Sequence, residues 1–272
     1  LGFLAVLESL NDLPLYLFDM SQLYNIFIIK LIINIILWNR SKSWYSHWDL
    51  MIKLVIFGSG GHSKVVFSEV IKLKKFQFLG FVDDFKKKGE LVISFNRKNY
   101  YNLGSIKQVI NKKNKFNGIV AVGLNYIRKK IVTDINKINK NFKFQKIVSK
   151  DAIVMSNVSI GEGTLVVSGS TINTGTEIGK HCVINTSCSI DHDNKFDDFS
   201  SAAPGVITGG NVVVGKKSYL GMGSLVKDQV NILQDTVIGL GSIVNKDCEK
   251  NSIYYGSPVK KIRTRKSEES YL

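Results

Sequence analysis

Apolar residues recur at every sixth position between residues 154 and 249. Divided into sixes from Val154, this stretch has Val, Ile, Leu or Phe at the first position of every block except two, which carry Ala202 and Thr208. The fifth position is almost always small or β-branched, and Gly recurs at the second and fourth positions. Such a sustained register indicates a repeat architecture.

Each six-residue unit predicts a short strand followed by a corner. The first-position side chain points inward, the fifth packs beside it, and Gly or Asn adopts the corner conformations that other residues resist. Three strands close one triangular coil of about 18 residues, so the blocks predict a parallel β-helix of about five coils.

The region before the repeat has a different pattern. "LVIFGSG" (54–60) predicts a buried strand that ends in glycines, "HSKVVFSEVIKLKK" a helix, and "FQFLGFVDD" a second strand. "GIVAVGLNYIRKKIV" (118–132) predicts a further strand, a glycine loop and a helix. The fold class is therefore α/β plus all-β, with a small Rossmann-like domain over 51–146, a β-helix domain over 147–248 and a C-terminal tail over 249–272.

The first fifty residues differ from the rest. All three tryptophans lie there, and the apolar run 23–38 is interrupted by two Asn and one Lys. As a helix this run would be about 24 Å long, too short for the hydrocarbon core of a bilayer. Residues 1–50 are either a membrane-surface helix or an upstream extension outside the working protein. Since "MIKLVIFGSGGHS" resembles a natural start, we expect a chain beginning at Met51 to be soluble and fully active.

Charge and cysteine content narrow the function classes. The formal net charge is +15, but the lysines are dispersed among Asn, Ile and Phe. This favours attraction to anionic small substrates over nucleic-acid binding. The three cysteines form no CxxC pair, which argues for a reducing, cytoplasmic compartment and against a disulfide or zinc framework. Each lies at a fifth position, where core packing is expected.

Several motifs occur in the order found in one enzyme family. They are "IFGSGGHSKVV", "GFVDD", "AVGLNYIRKKI", "INTSCSIDHD" and "GSPVKKIR". Over about 51–263 the chain resembles the sugar O- and N-acetyltransferases of the sialic-acid O-acetyltransferase (NeuD/PglD-like) type. The resemblance implies a left-handed β-helix, acetyl-CoA as co-substrate, no metal, and a homotrimer with active sites between neighbouring subunits.

The same resemblance assigns site residues. His192 matches the catalytic base and Asp193 the acid beside it. Sugar or nucleotide contacts match Gly60, Gly61, His62, Asp83, Asp84 and Gly123. Positions along the acetyl-CoA groove match Gly210, Met222 and Leu240, and Ser201 stands where some members have a histidine that contacts acetyl-CoA.

The residues around His192 support its assignment independently. "SIDHDNKF" places it between Asp191 and Asp193, whose carboxylates can fix its tautomer and raise its basicity. His181 has no carboxylate neighbour in sequence and is expected to be a surface or interface residue. A β-helix carbonic anhydrase would need three histidines per zinc site, and the whole chain has four. His62 is either a substrate contact or the start of a helix.

The favoured function is N-acetylation of a UDP-linked 4-amino sugar in surface glycan biosynthesis. The adjacent acids Asp83 and Asp84 suit a protonated amine better than the carboxylate of a sialic acid. They could equally form a strand-end turn before the basic run "FKKKGE". O-acetylation of a sialic-acid-like sugar, acyl transfer to another small metabolite and a non-catalytic nucleotide-sugar scaffold stay open. "GSGGHS" also matches two glycines of the dinucleotide motif, but Ser63 replaces the third.

Overall fold

The computed structural model describes Ile28, residues 51–266 and residues 268–271. The chain divides into two compact units, Leu1–Met51 and Ile52–Leu272. Except for Ile28, the predicted surface helix 23–38 lies outside the described residues.

A three-stranded parallel sheet forms the N-terminal domain. Its strands are β1 (Ile52–Phe57), β2 (Phe76–Val82) and β5 (Asn117–Val120), and β1 lies in the centre. The apolar run of β1 is buried, as is typical of a central parallel strand covered on both faces. Helix α1 (Gly61–Lys72) connects β1 to β2, α2 (Ile106–Val109) precedes β5, and α3 (Asn125–Ile138) follows it.

A hairpin that the sequence analysis did not predict is inserted after β2. Strands β3 (Leu91–Phe95) and β4 (Lys98–Tyr101) pair in antiparallel fashion. The two residues between them, Asn96 and Arg97, both have positive φ values, 48° and 61°. This is the conformation of a type I′ turn, which suits the twist of a two-residue hairpin.

The remainder is a parallel β-helix of about six coils with three faces. Face 1 contains Ile147–Val148, Leu165–Val166, Val183–Ile184, Ser201–Ala202, Tyr219–Leu220, Val237–Ile238, Ser252–Tyr255 and Lys260–Thr264. Face 2 contains Ile153–Val154, Thr171–Ile172, Ser189–Ile190, Ile207–Thr208, Leu225–Val226 and Ile243–Val244. Face 3 contains Ser159–Ile160, Glu177–Ile178, Lys195–Phe196, Val213–Val214 and Asn231–Ile232.

The predicted hexad register accounts for the core. Every first-position side chain from Val166 to Val244 is buried, and so is every fifth-position residue from Thr164 to Cys248. The fourth position adopts the left-handed conformation in every hexad from Asn157 to Gly241, whether or not it is Gly. The helix begins at Ile147–Val148, one strand before the first hexad of the repeat. It continues into Ser252–Tyr255, which pairs with Val237–Ile238 in a shortened last coil.

The three faces have different surroundings. The N-terminal domain covers face 1, where Ile147, Leu165 and Val183 share a core cluster with β1, β2 and α1. Face 2 presents a row of partly exposed apolar side chains along its paired strands. Its outward row is Ile153, Thr171, Ser189, Ile207, Leu225 and Ile243. The outward row of face 3 is more polar.

The C-terminal segment packs against the β-helix and α3. Lys260–Thr264 pairs antiparallel with Ser252–Tyr255, and the chain then reaches α3, where the Tyr271 hydroxyl accepts the N–H of Asn125 at 2.8 Å. Within the described residues, no helix is both long enough and apolar enough to cross a bilayer.

Candidate active site

His192 and Asp193 occupy the edge where face 2 passes into face 3. They are the third and fourth residues of one hexad, and Asp193 takes the left-handed corner conformation with φ 55°. His192 Nδ1 lies 2.8 Å from Asp193 Oδ2. An ionised carboxylate can only accept a hydrogen bond, so Nδ1 carries the proton and Nε2 of the neutral ring presents a lone pair.

The charges around this corner favour a basic imidazole. The hydrogen bond with Asp193, helped by the charges of Asp191 and Asp193, raises the pKa of His192 above its ordinary value. About half of each side chain in the pair is exposed, 50% for His192 and 58% for Asp193. Asp191 Oδ1 accepts the backbone N–H of His192 at 2.8 Å and Nδ2 of Asn173 at 3.1 Å. The arrangement can therefore take up a proton from an incoming ligand.

Asn194 fixes the backbone of the same corner and was missed by the sequence analysis. Its buried Nδ2 lies 2.7 Å, 3.3 Å and 2.9 Å from the carbonyl oxygens of Asp191, His192 and Gly209, and its Oδ1 accepts the N–H of Val212 at 3.2 Å. The signal was present in the repeat, because Asn194 is the one carboxamide at a fifth position. A buried amide is stable there only with its hydrogen bonds satisfied.

A second feature is a cavity of about 170 Å³ between the N-terminal domain and face 1. Its lining residues are His62, Gly123, Val183, Asn185, Ser201, Ala202, Ala203 and Tyr219. Burial, with a smaller contribution from the Arg128 charge, lowers the pKa of His62 to about 4, so its ring is neutral at physiological pH. Nε2 of His62 is buried and makes no hydrogen bond among the described residues. This leaves a polar atom at the cavity available to a ligand.

Arg128 lies behind this cavity and was also missed. Its guanidinium is fully buried and donates from Nε to the carbonyl of His181 at 2.8 Å and from Nη1 to the carbonyl of Val122 at 2.8 Å. Nη2 donates to Asn125 Oδ1 at 2.6 Å and to Ser201 Oγ at 2.9 Å. Arg128 thus joins α3 to two coils of the β-helix, and carbonyl and hydroxyl oxygens take the place of a carboxylate partner.

The glycine turn lies at the carboxyl end of the central strand β1, where open α/β sheets bind ligands. A Cβ added at Gly60 or Gly61 would meet nothing within 4 Å, so this turn faces open space. Asp83, which follows β2, accepts from the N–H and the hydroxyl of Ser59 at 2.8 Å and 2.6 Å. Asp83 therefore holds the glycine turn in place.

The two adjacent acids have different roles in the structure. Asp83 uses its second oxygen to accept the N–H of Phe85 at 2.8 Å. Asp84 is exposed, and its Oδ1 accepts the N–H of Ile106 at 2.8 Å at the start of α2. Both carboxylates thus support local backbone structure, and Asp84 is the more accessible of the two.

The predicted acetyl-CoA residues lie on two edges of the β-helix. Met222 and Leu240 are exposed third-position residues, 57% and 74%, at the edge between faces 1 and 2. Gly210 lies in the coil next to His192, at the edge between faces 2 and 3. Ser201 is buried at the cavity, and its hydroxyl is shared between Asn125 Oδ1 at 2.7 Å and Arg128.

Of the two expected positions for His181, surface or interface, the surface is wrong, because His181 is buried where the N-terminal domain meets the β-helix. His181 is 4% exposed and stacks on Phe199, with ring centroids 5.0 Å apart, while Phe144 meets its edge at 4.8 Å. Burial lowers the pKa of His181 to about 4. Sequence spacing could not reveal this, because the N-terminal domain that covers face 1 is distant in sequence.

Within one chain, the predicted site residues therefore lie in two separate groups. His62, Gly123 and Ser201 line one cavity, while His192, Asp193 and Gly210 meet at a different edge. Met222 and Leu240 share the edge on which the cavity residues Asn185 and Ala203 lie.

Comparison with known proteins gives a consistent result. Residues 53–135 match the family described as the PglD N-terminal domain. A chloramphenicol acetyltransferase of Klebsiella aerogenes is 38% identical over 71 residues, which are 26% of this chain and 34% of that protein. The chain therefore spans about a third of the length of the curated relatives that it matches.

Solved structures match over both domains. The acetyltransferase domain of PglB from Neisseria gonorrhoeae FA1090 has a TM-score of 0.70 and 27% identity, covering 77% of this chain and 99% of that one. A variant of perosamine N-acetyltransferase from Caulobacter crescentus, in complex with CoA and GDP-perosamine, has a TM-score of 0.69 and 26% identity, covering 77% and 96%.

These matches agree with the predicted resemblance in both fold and enzyme class, although they do not single out the O-acetyltransferase subtype. The proteins that share the architecture are acetyltransferases, and some of the solved structures contain acetyl-CoA or CoA. Residues 53–135 of the chain thus match a PglD N-terminal domain, and both domains together are similar in structure to sugar N-acetyltransferases that contain a hexapeptide-repeat β-helix.

Proposed function

We propose that this protein is an acetyl-CoA-dependent N-acetyltransferase that acts on a nucleotide-linked amino sugar. The observation that carries the proposal is the His192–Asp193 pair, a basic imidazole held at 2.8 Å by a carboxylate on an open edge of the β-helix. The similarity to a perosamine N-acetyltransferase solved with CoA and GDP-perosamine supports both the reaction and the substrate class.

In the proposed reaction, the acceptor amine attacks the thioester carbonyl of acetyl-CoA. Nε2 of His192 takes a proton from the amine as the C–N bond forms, and Asp193 stabilises the imidazolium through Nδ1. The C–S bond then breaks, and the proton passes from Nε2 to the departing thiolate. The products are the acetamido sugar and CoA, and the base is regenerated.

The developing oxyanion needs a hydrogen-bond donor near Nε2. The backbone N–H of Gly210 suits this role, because it makes no backbone hydrogen bond within the described region while its neighbours Gly209 and Asn211 donate to Val226 and His192. A Cβ at Gly210 would touch the His192 ring, so this N–H is close to the base.

No covalent acyl-enzyme is required, and the cysteines are poorly suited to form one. All three are buried. Burial raises the pKa of Cys182 and of Cys188 to about 11 and that of Cys248 to about 12. A buried neutral thiol is a weak nucleophile, which leaves direct transfer from acetyl-CoA to the acceptor.

The nucleotide sugar is proposed to bind at the glycine turn and the adjoining cavity. Gly60 and Gly61 expose backbone at the N-terminus of α1, where phosphate oxygens are favoured. His62 supplies Nε2, which has no hydrogen-bond partner among the described residues, and Gly123 lines the same cavity. Asn185, which the sequence analysis did not single out, is a further polar residue of this lining.

Acetyl-CoA is proposed to lie along the helix edge marked by Met222 and Leu240. These exposed apolar side chains are one coil apart and offer a surface for the pantetheine arm. Ser201 is a weaker candidate for a contact, since Arg128 and Asn125 already use its hydroxyl.

A homotrimer would complete the site. His192 and the substrate cavity occupy different edges of one chain, so a neighbouring copy is needed to bring a base to each cavity. The apolar row of face 2, with Ile153, Ile207, Leu225 and Ile243 each at least 40% exposed, is suited to contact with another copy.

The proposal also specifies the nucleotide of the substrate and the atom that accepts the acetyl group. We favour a UDP-linked 4-amino sugar destined for surface glycan, with Asp84 as the accessible carboxylate that attracts its ammonium form. The ammonium group releases one proton to solvent before the neutral amine attacks. Asp83 has a supporting role, because Ser59 and Phe85 engage both of its oxygens.

An acceptor panel tests the function. The protein is incubated with acetyl-CoA and, in turn, UDP-, GDP- and dTDP-linked amino sugars, their hydroxyl analogues and a free sialic acid, and products are identified by mass spectrometry. We expect one added acetyl group on a nucleotide-linked amino sugar and none on its hydroxyl analogue. Acetylation of the sialic acid alone would replace N-acetylation by the O-acetylation alternative, and no acetylated product would reject the enzyme proposal.

A further inference from the structure

The imidazole of His192 packs directly against the backbone of the next coil. A Cβ built on Gly210 would lie 2.6 Å from both Cε1 and Nε2 of the ring and 3.2 Å from Nδ1. Carbon atoms do not approach so closely, because the contact optimum is about 3.5 to 4.0 Å. The ring therefore occupies the space that any side chain at residue 210 would fill.

Backbone conformation does not explain the glycine. Gly210 is absent from the glycines with positive φ, whereas Gly175, Gly205 and Gly223 have values of 74°, 70° and 66°. An alanine could adopt the backbone geometry of residue 210 without the strain of the left-handed region. Among the described contacts, it is the His192 ring that requires glycine at residue 210.

The Asp193 side of the His192–Asp193 pair also lies close to the backbone of a neighbouring coil. A Cβ on Gly175, in the preceding coil, would lie 2.2 Å from Asp193 Oδ1. Gly175 is less informative because its positive φ already favours glycine. Even so, the catalytic pair lies between two coils that both lack a side chain where they meet it.

We propose that Gly210 is a positioning residue for His192, and that its missing side chain seats the imidazole so that Nδ1 reaches Asp193 while Nε2 faces the acceptor. This extends the proposed function, since it rests on His192 as the base. It is distinct from the role of the Gly210 N–H as an oxyanion donor, because an alanine retains that N–H. With half of its side chain exposed, His192 has few other contacts to fix its orientation.

The variant Gly210→Ala separates the positioning role of Gly210 from its role as an oxyanion donor. The added methyl group should displace the ring and break its 2.8 Å contact with Asp193. Asp191 and Asp193 are the charged groups that raise the pKa of His192, so loss of the contact should lower that pKa toward its ordinary value. NMR titration of His192 in the protein without ligands measures this, and kcat should fall roughly 10- to 100-fold.

The matched control is Gly161→Ala. Gly161 lies at another edge, where an added Cβ would meet the Gly179 backbone at 2.7 Å, so it introduces a comparable clash away from His192. We expect Gly161→Ala to leave the His192 titration unchanged. A His192 pKa in Gly210→Ala equal to that of the wild type would overturn the proposal.

A double-mutant cycle remains decisive if Gly210→Ala folds poorly. Once His192→Ala removes the ring, Gly210→Ala should cost little further thermal stability, whereas in the presence of His192 it should lower the Tm clearly. Equal loss of Tm in both backgrounds would refute the seating role. Because neither readout needs turnover, failure of this inference is distinguishable from failure of the proposed acetyl transfer.

Discussion

Asp193 occupies the fourth position of its hexad, which is left-handed in every hexad from Asn157 to Gly241. Gly, Asn and Asp adopt that conformation most readily among the residues the repeat uses there. The corner therefore accepts a carboxylate at little cost in backbone strain. It also positions that carboxylate next to the preceding residue, whose side chain points outward.

Asp193→Asn isolates the charge of this carboxylate, because Asn tolerates the same backbone conformation. The hydrogen bond and charge of Asp193 raise the pKa of His192, so their weakening should lower it. Since the neutral ring is the base, the acid limb of the kcat/KM–pH profile should move to lower pH. The plateau should fall by roughly 10- to 100-fold as the imidazolium loses its partner.

The matched control for Asp193→Asn is Asp197→Asn, which changes a half-buried acid in the next hexad. An acid limb that stays at the wild-type position in Asp193→Asn would remove Asp193 from the mechanism.

Some residues could be predicted from the sequence and others could not. His192 and Asp193 were identifiable because both lie within one hexad, and contact between adjacent corner residues follows from the repeat. Arg128 was not identifiable, since the acceptors that tie it to the β-helix belong to His181, Phe199 and Ser201, more than fifty residues away in sequence. Asn194 could have been found, because it breaks the fifth-position rule in the hexad that contains His192 and Asp193.

At the level of elements, the packing of α3 and face 1 explains the state of His181. Its ring lies between Phe144 and Phe199, and its own backbone carbonyl accepts a hydrogen bond from Arg128. A histidine with a folded pKa of about 4 is neutral in the native state and protonated first in the unfolded chain. Its burial therefore costs no stability above the unfolded pKa of about 6.5 and destabilises progressively as pH falls toward 4.

His181→Phe should reduce this acid sensitivity. Phe199 already occupies the same corner one coil later with φ 61°, so the backbone accepts Phe there. Between pH 6 and pH 4.5, the slope of the unfolding free energy against pH should decrease by up to about 1.4 kcal/mol per pH unit. Denaturant unfolding at several pH values measures it.

His62→Phe provides a comparison for His181→Phe, because burial also lowers the pKa of His62 to about 4. An unchanged slope in His181→Phe would mean that this histidine does not titrate on unfolding.

The elements differ in how well the pattern predicted them. Period six gives the β-helix directly, because each first position must be buried for the coil to close. The first strand, Ile147–Val148, lies outside the hexad pattern because "IVSKDA" has no glycine. The β3–β4 hairpin was missed because its residues are mostly exposed or half-buried and lack a clear alternation.

On the scale of the whole molecule, the three faces of the β-helix have different tasks. The N-terminal domain covers face 1, and face 2 is left with an exposed apolar row. Because His192 and the cavity lie on different edges, assembly through face 2 would determine whether a complete site exists.

The double variant Ile207→Asp, Leu225→Asp tests this assembly. These side chains are 48% and 41% exposed in one chain, and four carboxylate oxygens in a dry interface would be strongly unfavourable. We expect the trimer to dissociate, as measured by light scattering after size-exclusion chromatography, and activity to be lost with it.

Glu177→Lys on face 3 serves as the charge-changing control and should leave the mass unchanged. A trimer that persists with both aspartates in place would show that face 2 is not the contact surface.

The most direct measurement of the central claim compares His192→Ala with the wild-type protein on the nucleotide-linked amino sugar that the panel identifies. Rates are followed by acetylated product, and acetyl-CoA affinity by calorimetry. The account predicts that kcat falls at least about 100-fold while the Kd for acetyl-CoA stays within about twofold, because a base is lost and the cofactor edge is intact. Turnover by His192→Ala at close to the wild-type rate would contradict it.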